Sequence, residues 1–460
     1  MTFKSLEHLS MLCMLILVLG QSCEEIEILD PPDNTGNVVQ TSTGDSDALG
    51  IYFGLNETAT LFVDPASSET YLVDDDVSKY FSNTSFARPS NVSVPNNLDL
   101  DQFPLLINED FLDVVKTDPV FETTSYVGAF GSTMSEKWYS DSNWFNLDPQ
   151  DVVYNFDKNT AVKVEGYIEQ NTTWTKDKQY LILGQVFVKD GVTLTIEPGT
   201  VVFGNKGTGV EAGVLIFNRG SKINANGTPE EPIVFTGTAD AGERTRGQWG
   251  GVVFLGRAPN NKGDDILIEG IQGDEADDGL FGGNDETDSS GTFSFWRVEY
   301  AGIAITPGNE VNSITYGSVG SGTTAHHILI TAAGDDAMEW FGGKINMSYI
   351  ATYNTLDDDL DMDSGFSGTL QYVYIVRNPY AADESGANAF EISSSDAVNT
   401  EPITRAQIAN ATVVGPLYQL DGTDLVYDRL INAGLSSNND ARAYIYNSII
   451  LGFPVGAQNP

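Results

Sequence analysis

Four short segments, Asn312-Ser-Ile-Thr-Tyr-Gly317, Asp336-Ala-Met-Glu-Trp-Phe341, Asp358-Asp-Leu-Asp-Met-Asp363 and Asn388-Ala-Phe-Glu-Ile-Ser393, align on their central apolar residues Ile314, Met338, Leu360 and Phe390. The spacings are 24, 22 and 30 residues. A period of this size matches one coil of a three-sided parallel β-helix, whereas a propeller blade would need about 40 to 45 residues. The longer spacing is one coil carrying a loop at Pro379 to Ser385. Within each segment apolar and polar residues alternate, as they do on a strand with one buried face. Met338, Trp340, Leu360, Met362, Phe390 and Ile392 are therefore expected to point inward.

The same texture extends upstream. Tyr180 to Gly204 and Leu215 to Gly237 are short β-branched runs punctuated by Gly, Asp-Gly and Pro-Gly turns, with no helix-period segment of useful length. The predicted fold class is all-β, a right-handed parallel β-helix (a three-sided solenoid) over 166–460. Residues 51–165, rich in Asp, Asn, Ser and Pro, read as an irregular N-terminal cap region that covers the first edge, because an open sheet edge invites aggregation. Asn447-Ser-Ile-Ile-Leu-Gly-Phe-Pro454 reads as mid-coil sequence, which predicts either a last coil with little cover or a truncated chain.

The chain has 460 residues, too many for one compact core but no obstacle to a stacked solenoid. Its 65 acidic and 23 basic residues give a net charge of -42, which excludes nucleic acid as a natural partner, since phosphate binding needs a basic footprint. An acidic surface gathers cations. Both cysteines lie in the first 23 residues, so no disulfide staples the body.

The first residues read as an address. Lys4 precedes a short apolar run from Met11 to Leu19, and Gly20-Gln-Ser-Cys23 follows. This resembles a bacterial lipoprotein signal over 1–22, which implies acylation of Cys23, a flexible tether over 23–50 and attachment to the membrane through the lipid. Glu24, Glu25 and Glu27 resemble the surface-export signal of Bacteroidota lipoproteins. No other segment has 18 apolar residues in a row.

Five further motifs carry a family resemblance. They are Thr193-Leu-Thr-Ile-Glu-Pro-Gly-Thr200, Pro232-Ile-Val-Phe-Thr236, Gly247-Gln-Trp-Gly-Gly-Val-Val-Phe-Leu-Gly-Arg-Ala-Pro259, Gly334-Asp-Asp-Ala-Met-Glu-Trp-Phe-Gly-Gly343 and Asp357-Asp-Asp-Leu-Asp-Met-Asp363. Together they resemble a family of Bacteroidota outer-membrane lipoproteins with a right-handed parallel β-helix body. That family has no established activity, so the resemblance implies no catalytic residue. It implies an outer-membrane, surface-facing location.

Alternation places Thr315, Glu339, Asp361 and Glu391 in one outward column, with equivalent positions about 4.8 Å apart from coil to coil. A turn column reads Asn312, Asp336, Asp358 and Asn388, and Asp335, Asp357, Asp359 and Asp363 crowd the same face. Stacked like charges raise one another's pKa unless a cation intervenes. Three readings stay open. The first is a Ca²⁺ site using Asp335, Asp336, Asp357, Asp358 and Asp359, since calcium takes several carboxylate and amide oxygens. The second is a glycoside hydrolase or lyase using Asp336, Glu339, Asp358 and Asp361, because carboxylates on adjacent coils approach glycosidase spacings. Gly334-Asp-Asp and Asn354-Thr-Leu-Asp faintly resemble polygalacturonase-type β-helices, but the Gly-His-Gly and Arg-Ile-Lys elements of those enzymes are absent. The third is a structural ladder of Asp and Asn bonding the turn backbone.

The expected function is a non-enzymatic surface lipoprotein that binds an extended polysaccharide, or an outer-membrane partner such as a TonB-dependent transporter, through Glu339, Phe341, Asp361, Asp363 and Glu391. The alternatives are a calcium-dependent carbohydrate-active enzyme and a structural or adhesive envelope protein. No organic cofactor is expected. His326 and His327 are adjacent on a strand, so they are expected to face opposite ways and not to share a site. There is no CxxC, HExxH, Walker loop or Gly-x-Ser-x-Gly. Residues 263–291 read as an acidic, glycine-rich, solvated insertion leaving one coil. Trp296, Tyr300, Tyr316, Trp340 and Phe341 are aromatics near the carboxylate coils that could stack on sugars if exposed.

Overall fold

The computed structural model describes residues 121–459, apart from 125, 132–135, 140–141, 208, 307–308, 396–399 and 420–426, and the backbone of Gly50–Phe53 and Thr60–Leu61. The signal, Cys23, the acidic residues after it and most of the tether lie outside the described residues. The body is a parallel β-solenoid with three faces. Sheet I stacks Val201–Gly204, Ile233–Gly237, the later halves of Gly291–Glu299, Thr324–Thr331, Asn346–Tyr353, Thr369–Val376 and Arg405–Val414, and then Ser448–Leu451. Sheet II stacks Val214–Phe217, Gly251–Leu255, Ile314–Gly317, Met338–Phe341, Leu360–Asp363, Phe390–Ile392 and Leu435–Ser437. Sheet III stacks Thr172–Trp174, Thr193–Ile196, Lys222–Asn226, the earlier halves of the long strands and Arg442–Tyr446. Helix among the described residues is confined to short 3-10 turns such as Gly209–Glu211 and Pro416–Gln419.

The register agrees with the repeat. Ile314 pairs with Met338, Met338 with Leu360 and Leu360 with Phe390, and the six residues expected to point inward are all fully buried. One core runs through every coil, and its rings stack along the axis: Phe217 on Phe254 at 4.8 Å, Phe254 on Tyr316 at 5.7 Å and Tyr316 on Trp340 at 5.3 Å.

Each long strand turns from sheet III to sheet I at one residue in the left-handed region: Phe295, His327, Tyr349, Tyr372, Asn410 and Asn447, with φ between 51° and 58°. That conformation costs an ordinary L-residue about 1–2 kcal/mol, and the side chains offset it by stacking. Phe295 lies 4.2 Å from His327, His327 lies 4.2 Å from Tyr349, and Tyr349 lies 4.7 Å from Tyr372, all near-parallel. The bend also breaks strand alternation, which corrects the expectation for the histidines. The Nδ1 atoms of His326 and His327 lie 2.8 Å apart on the same side of the chain. Burial holds both imidazoles below their usual range, His327 down to about 3, where the neighbouring His326 adds to the effect. His327 is a neutral ring in a stack.

Of the expected cap over 51–165, residues 54–59 and 62–120 lie outside the described residues, and the described part from 121 on packs along one face of the solenoid. The described residues of 121–158 form a strap along the outside of sheet I, running from the last coils back to the first. Ala129 N–H donates to Thr412 Oγ1 at 2.9 Å, Trp144 Nε1–H donates to Trp296 O at 2.8 Å, and Tyr154 OH donates to Glu299 at 2.8 Å. The reason is the outward face of sheet I. Leu329, Ala351, Tyr374, Val376 and Val414 are apolar and need cover, and Phe130, Tyr139, Trp144 and Phe145 supply it. The last strand of sheet I also receives an antiparallel partner, Gly50–Phe53.

The insertion at 263–291 is docked onto sheet II and is not a solvated loop. Ile266–Leu267 pairs with Leu280–Phe281, and Ile268, Ile271 and Phe281 bury against Val253 and Leu255. Asp278 anchors it, accepting from Tyr167 OH and Asn218 Nδ2, each at 2.8 Å. Burial raises its pKa, but the hydrogen bonds from the Glu275 N–H, Tyr167 and Asn218, with Lys189 nearby, outweigh that and hold the carboxyl below its usual range.

Trp144 is fully buried, so Trp144→Ala should cost about 3–5 kcal/mol in chemical denaturation. A loss below about 1 kcal/mol would show that the strap is dispensable to the solenoid.

Candidate functional site

The carboxylates gather on the outer edge of sheet II, where the cover of the docked insertion ends. In the first coils the outward positions of this sheet are apolar (Ile216, Val253, Leu255) and lie under the insertion. Along the register Val253 then gives way to Thr315, Glu339, Asp361 and Glu391. The outward column has the predicted order.

The turn column is a ladder. Asp336 Oδ1 accepts the backbone N–H of Asp358 at 2.8 Å, and Asp358 Oδ1 accepts the backbone N–H of Asn388. One oxygen of each aspartate therefore holds the next coil, as the structural reading requires. The second oxygen leaves capacity for more. Two groups of carboxylates share Asp336: one with Asp357 and Asp358, the other with Glu339 and Asp361. Within each group the ligand oxygens lie within 4.8 Å of one another. Asn312 Nδ2 donates to Glu339 Oε2 at 2.5 Å, and Asp361 Oδ1 is buried with no hydrogen-bond partner.

Electrostatically the cluster is unsatisfied. Burial, followed by mutual repulsion, raises the pKa values of Asp336, Glu339, Asp358 and Asp361 well above the carboxylate range. Burial and Asp357 push Asp335 up to about 8, and burial pushes Asp357 up to about 6 against a hydrogen bond from Ser385. These six carboxylates move the same way because each is buried, and the neighbouring carboxylates add to the effect.

Several nominated residues have other partners. Asp359 is fully buried and paired with Arg377 Nη1 at 3.1 Å, itself fully buried, so it is neutralised inside the turn and leaves the proposed calcium set. The same guanidinium donates to the carbonyls of Asp357 and Ala381, fixing the Pro379 to Ser385 loop beside the cluster. Glu391 is held by Asn388 Nδ2 at 2.8 Å and Asn438 Nδ2 at 3.2 Å. Asp363 faces Lys262, whose Nζ is 4.0 Å away. Asp335 borders the two groups without joining either. Phe341 is half-buried with its ring 6.2 Å from Phe281, so the insertion covers the expected exposed aromatic. Trp296, Tyr316 and Trp340 are fully buried and Tyr300 nearly so, which removes them as sugar platforms.

Two site residues escaped sequence reasoning. Glu269, from the insertion, accepts the N–H of Glu310 at 3.0 Å, and the charges of both reach Asp335. Burial raises the pKa of Glu269 as well. The apolar residues Ile266, Leu267, Ile268 and Ile271 around it were the available signal that this stretch docks on the body.

Residues 166–456 match a family model described as a pectate-lyase like beta helix domain. The chain belongs to this family. No curated protein and no solved structure matches the chain. In this pectate-lyase like beta helix domain the carboxylate cluster therefore has to be read from its own geometry.

The raised values set a pH dependence. An aspartate titrates near 3.9 in an unfolded chain, so between about pH 4 and 8 the folded, calcium-free protein binds more protons than the unfolded one. Its stability should fall as pH rises through that window. Thermal unfolding of calcium-stripped protein across pH 4 to 8 checks this, and Asp335→Asn with Asp357→Asn should flatten the decline. A decline unchanged in that variant would assign it to the general acidity of the chain.

Proposed function

We propose that this chain is a calcium-loaded, cell-surface β-helix that binds an extended polysaccharide without cleaving it. The observation that carries the reading is the pair of carboxylate groups sharing Asp336, whose pKa values are all raised together. Acid–base catalysis needs two carboxylates pushed apart, one protonated and one ionised. A cluster whose members all rise asks instead for a counter-charge, and a hard divalent cation with several oxygen ligands supplies it. Asp336, Glu339 and Asp361, with Asp357 and Asp358 alongside, would hold the ion on an outer face. Any coordination position they leave open could take sugar hydroxyls or carboxylates. A long solenoid face suits an extended ligand, and the pectate-lyase like fold is compatible with carbohydrate binding. The resemblance of Gly20-Gln-Ser-Cys23 to a lipobox supports anchoring at the outer membrane by a lipid on Cys23.

A second reading, a calcium-dependent hydrolase or lyase, draws on Asp335. Its carboxyl, pushed up to about 8, is in the range of a general acid at neutral pH.

Calcium at a hundredfold excess over its Kd should stabilise the protein by about 2.7 kcal/mol. Asp336→Asn and Asp361→Asn should abolish that increment, yet each should raise the melting temperature in chelator by relieving repulsion. A calcium response that survives both substitutions would place the ion elsewhere. Calcium-dependent retention on a polysaccharide array without chain shortening supports binding, whereas shortening that Asp335→Asn abolishes would move the assignment to the enzyme.

A further inference from the structure

The strap and the stacked bend line a cavity of about 390 Å³, on the same coils as the carboxylate cluster but at the bend between sheets III and I, away from sheet II. Four aromatic rings and two carboxylates line it: Tyr126, Trp138, Tyr349, Tyr372, Glu122 and Glu136. None of its lining residues is basic. Tyr372 is buried at the floor, Tyr126, Trp138 and Tyr349 are half-buried walls, and Glu122 stands exposed at the mouth.

The walls are fixed in place: Tyr349 is stacked between His327 at 4.2 Å and Tyr372 at 4.7 Å, so the Tyr349 and Tyr372 rings turn edges and hydroxyls to the cavity. Glu122 is pinned to the solenoid twice, its N–H donating to Gln371 Oε1 and its carbonyl accepting from Gln371 Nε2, each at 2.8 Å. Its carboxylate accepts from Tyr372 OH at 3.1 Å and Tyr349 OH at 3.3 Å. Trp138 is set by its indole N–H on Ala129 O at 2.7 Å, edge-on to Tyr349 with ring centres 5.7 Å apart. Tyr126 is held through its carbonyl by Asn410 and Asn447, and its ring lies 6.4 Å from that of Tyr372. Burial pushes the Tyr126 hydroxyl up to about 12, and the negative fields of Glu136 and Glu122 add to the shift.

We propose that this cavity is a binding site for a small organic ammonium ion. The tyrosine hydroxyl oxygens gathered at Glu122 present electron-rich atoms to a cation, and Tyr126 and Trp138 add aromatic surface that favours a desolvated cation with an organic body. The two carboxylates add a negative field that a neutral sugar would not exploit. The volume exceeds that of one ammonium head group, so the ligand carries the cation on a larger body. The site is independent of the calcium-dependent reading, because it shares none of that site's residues.

Choline is the probe, titrated into the full chain in chelator at a fixed physiological salt concentration and followed by tryptophan fluorescence and calorimetry. The uncharged isostere 3,3-dimethylbutan-1-ol and a neutral disaccharide are run beside it. The expected result is saturable one-to-one binding of choline, with the isostere weaker by about tenfold or more. Trp138→Phe should remove most of the fluorescence change, and Glu122→Gln should weaken choline by about tenfold without moving the melting temperature of the solenoid. Equal binding of the isostere or the disaccharide overturns the proposal in favour of an apolar or sugar pocket. No saturable binding at millimolar choline overturns it outright, as does binding that Trp138→Phe and Glu122→Gln leave unchanged.

Discussion

In-register parallel stacking at about 4.8 Å per coil is the constraint on which the rest of this molecule depends. It makes every position a column, and it repeats whatever interaction that position makes with itself. Inside, apolar columns gain from repetition, as in the run Phe254, Tyr316 and Trp340. At the bend between sheets, repetition allows a conformation that a single residue would resist. Phe295, His327, Tyr349 and Tyr372 each sit in the left-handed region, and each gains a ring neighbour from the coil before or after. Where the aromatic column ends, Asn410 and Asn447 take over. Asparagine tolerates that backbone region, and its amide bonds the strap carbonyls.

The same repetition is unfavourable for charge. Glu339 and Asp361 occupy one column and Asp336 and Asp358 another, so the spacing that stabilises a ring stack brings carboxylates together. Two devices limit the cost. Backbone N–H groups from the next coil bind one oxygen of each turn aspartate, and Arg377 neutralises Asp359 from within. What is left on the outer side of the turn has no such partner. The core stacking keeps those coils in register regardless, so the cluster stays preassembled while its charges repel.

The repeat, the inward and outward sets and the outward order Thr315, Glu339, Asp361, Glu391 were legible because they follow from period and alternation alone. What stayed hidden was long-range. The strap reads as irregular because its aromatics have no period, and their partners lie far away in the chain, as with Trp144 and Trp296 or Glu122 and Gln371. The shared side of His326 and His327 was hidden because alternation assumes an unbroken strand and the bend falls on His327. Asp359 looked like a ligand beside Asp357 and Asp358. Only the fold brings Arg377 to it, and no charge pattern in the local sequence marks that pair. The insertion looked solvated because its acidic residues outnumber the apolar ones, yet Ile268, Ile271 and Phe281 suffice to dock it.

The covers then decide where function can reside. A solenoid this long buries only its interior by stacking, so its three outer faces begin equivalent. The strap takes the apolar part of sheet I, and the insertion takes the apolar part of sheet II. The insertion stops where the column beneath it changes character, as Val253 gives way to Thr315 and then Glu339. The carboxylate cluster therefore lies at the boundary between a covered and an uncovered stretch of one face. At such a boundary a ligand finds low-dielectric walls on one side and access on the other, the condition under which a few oriented charges act most strongly.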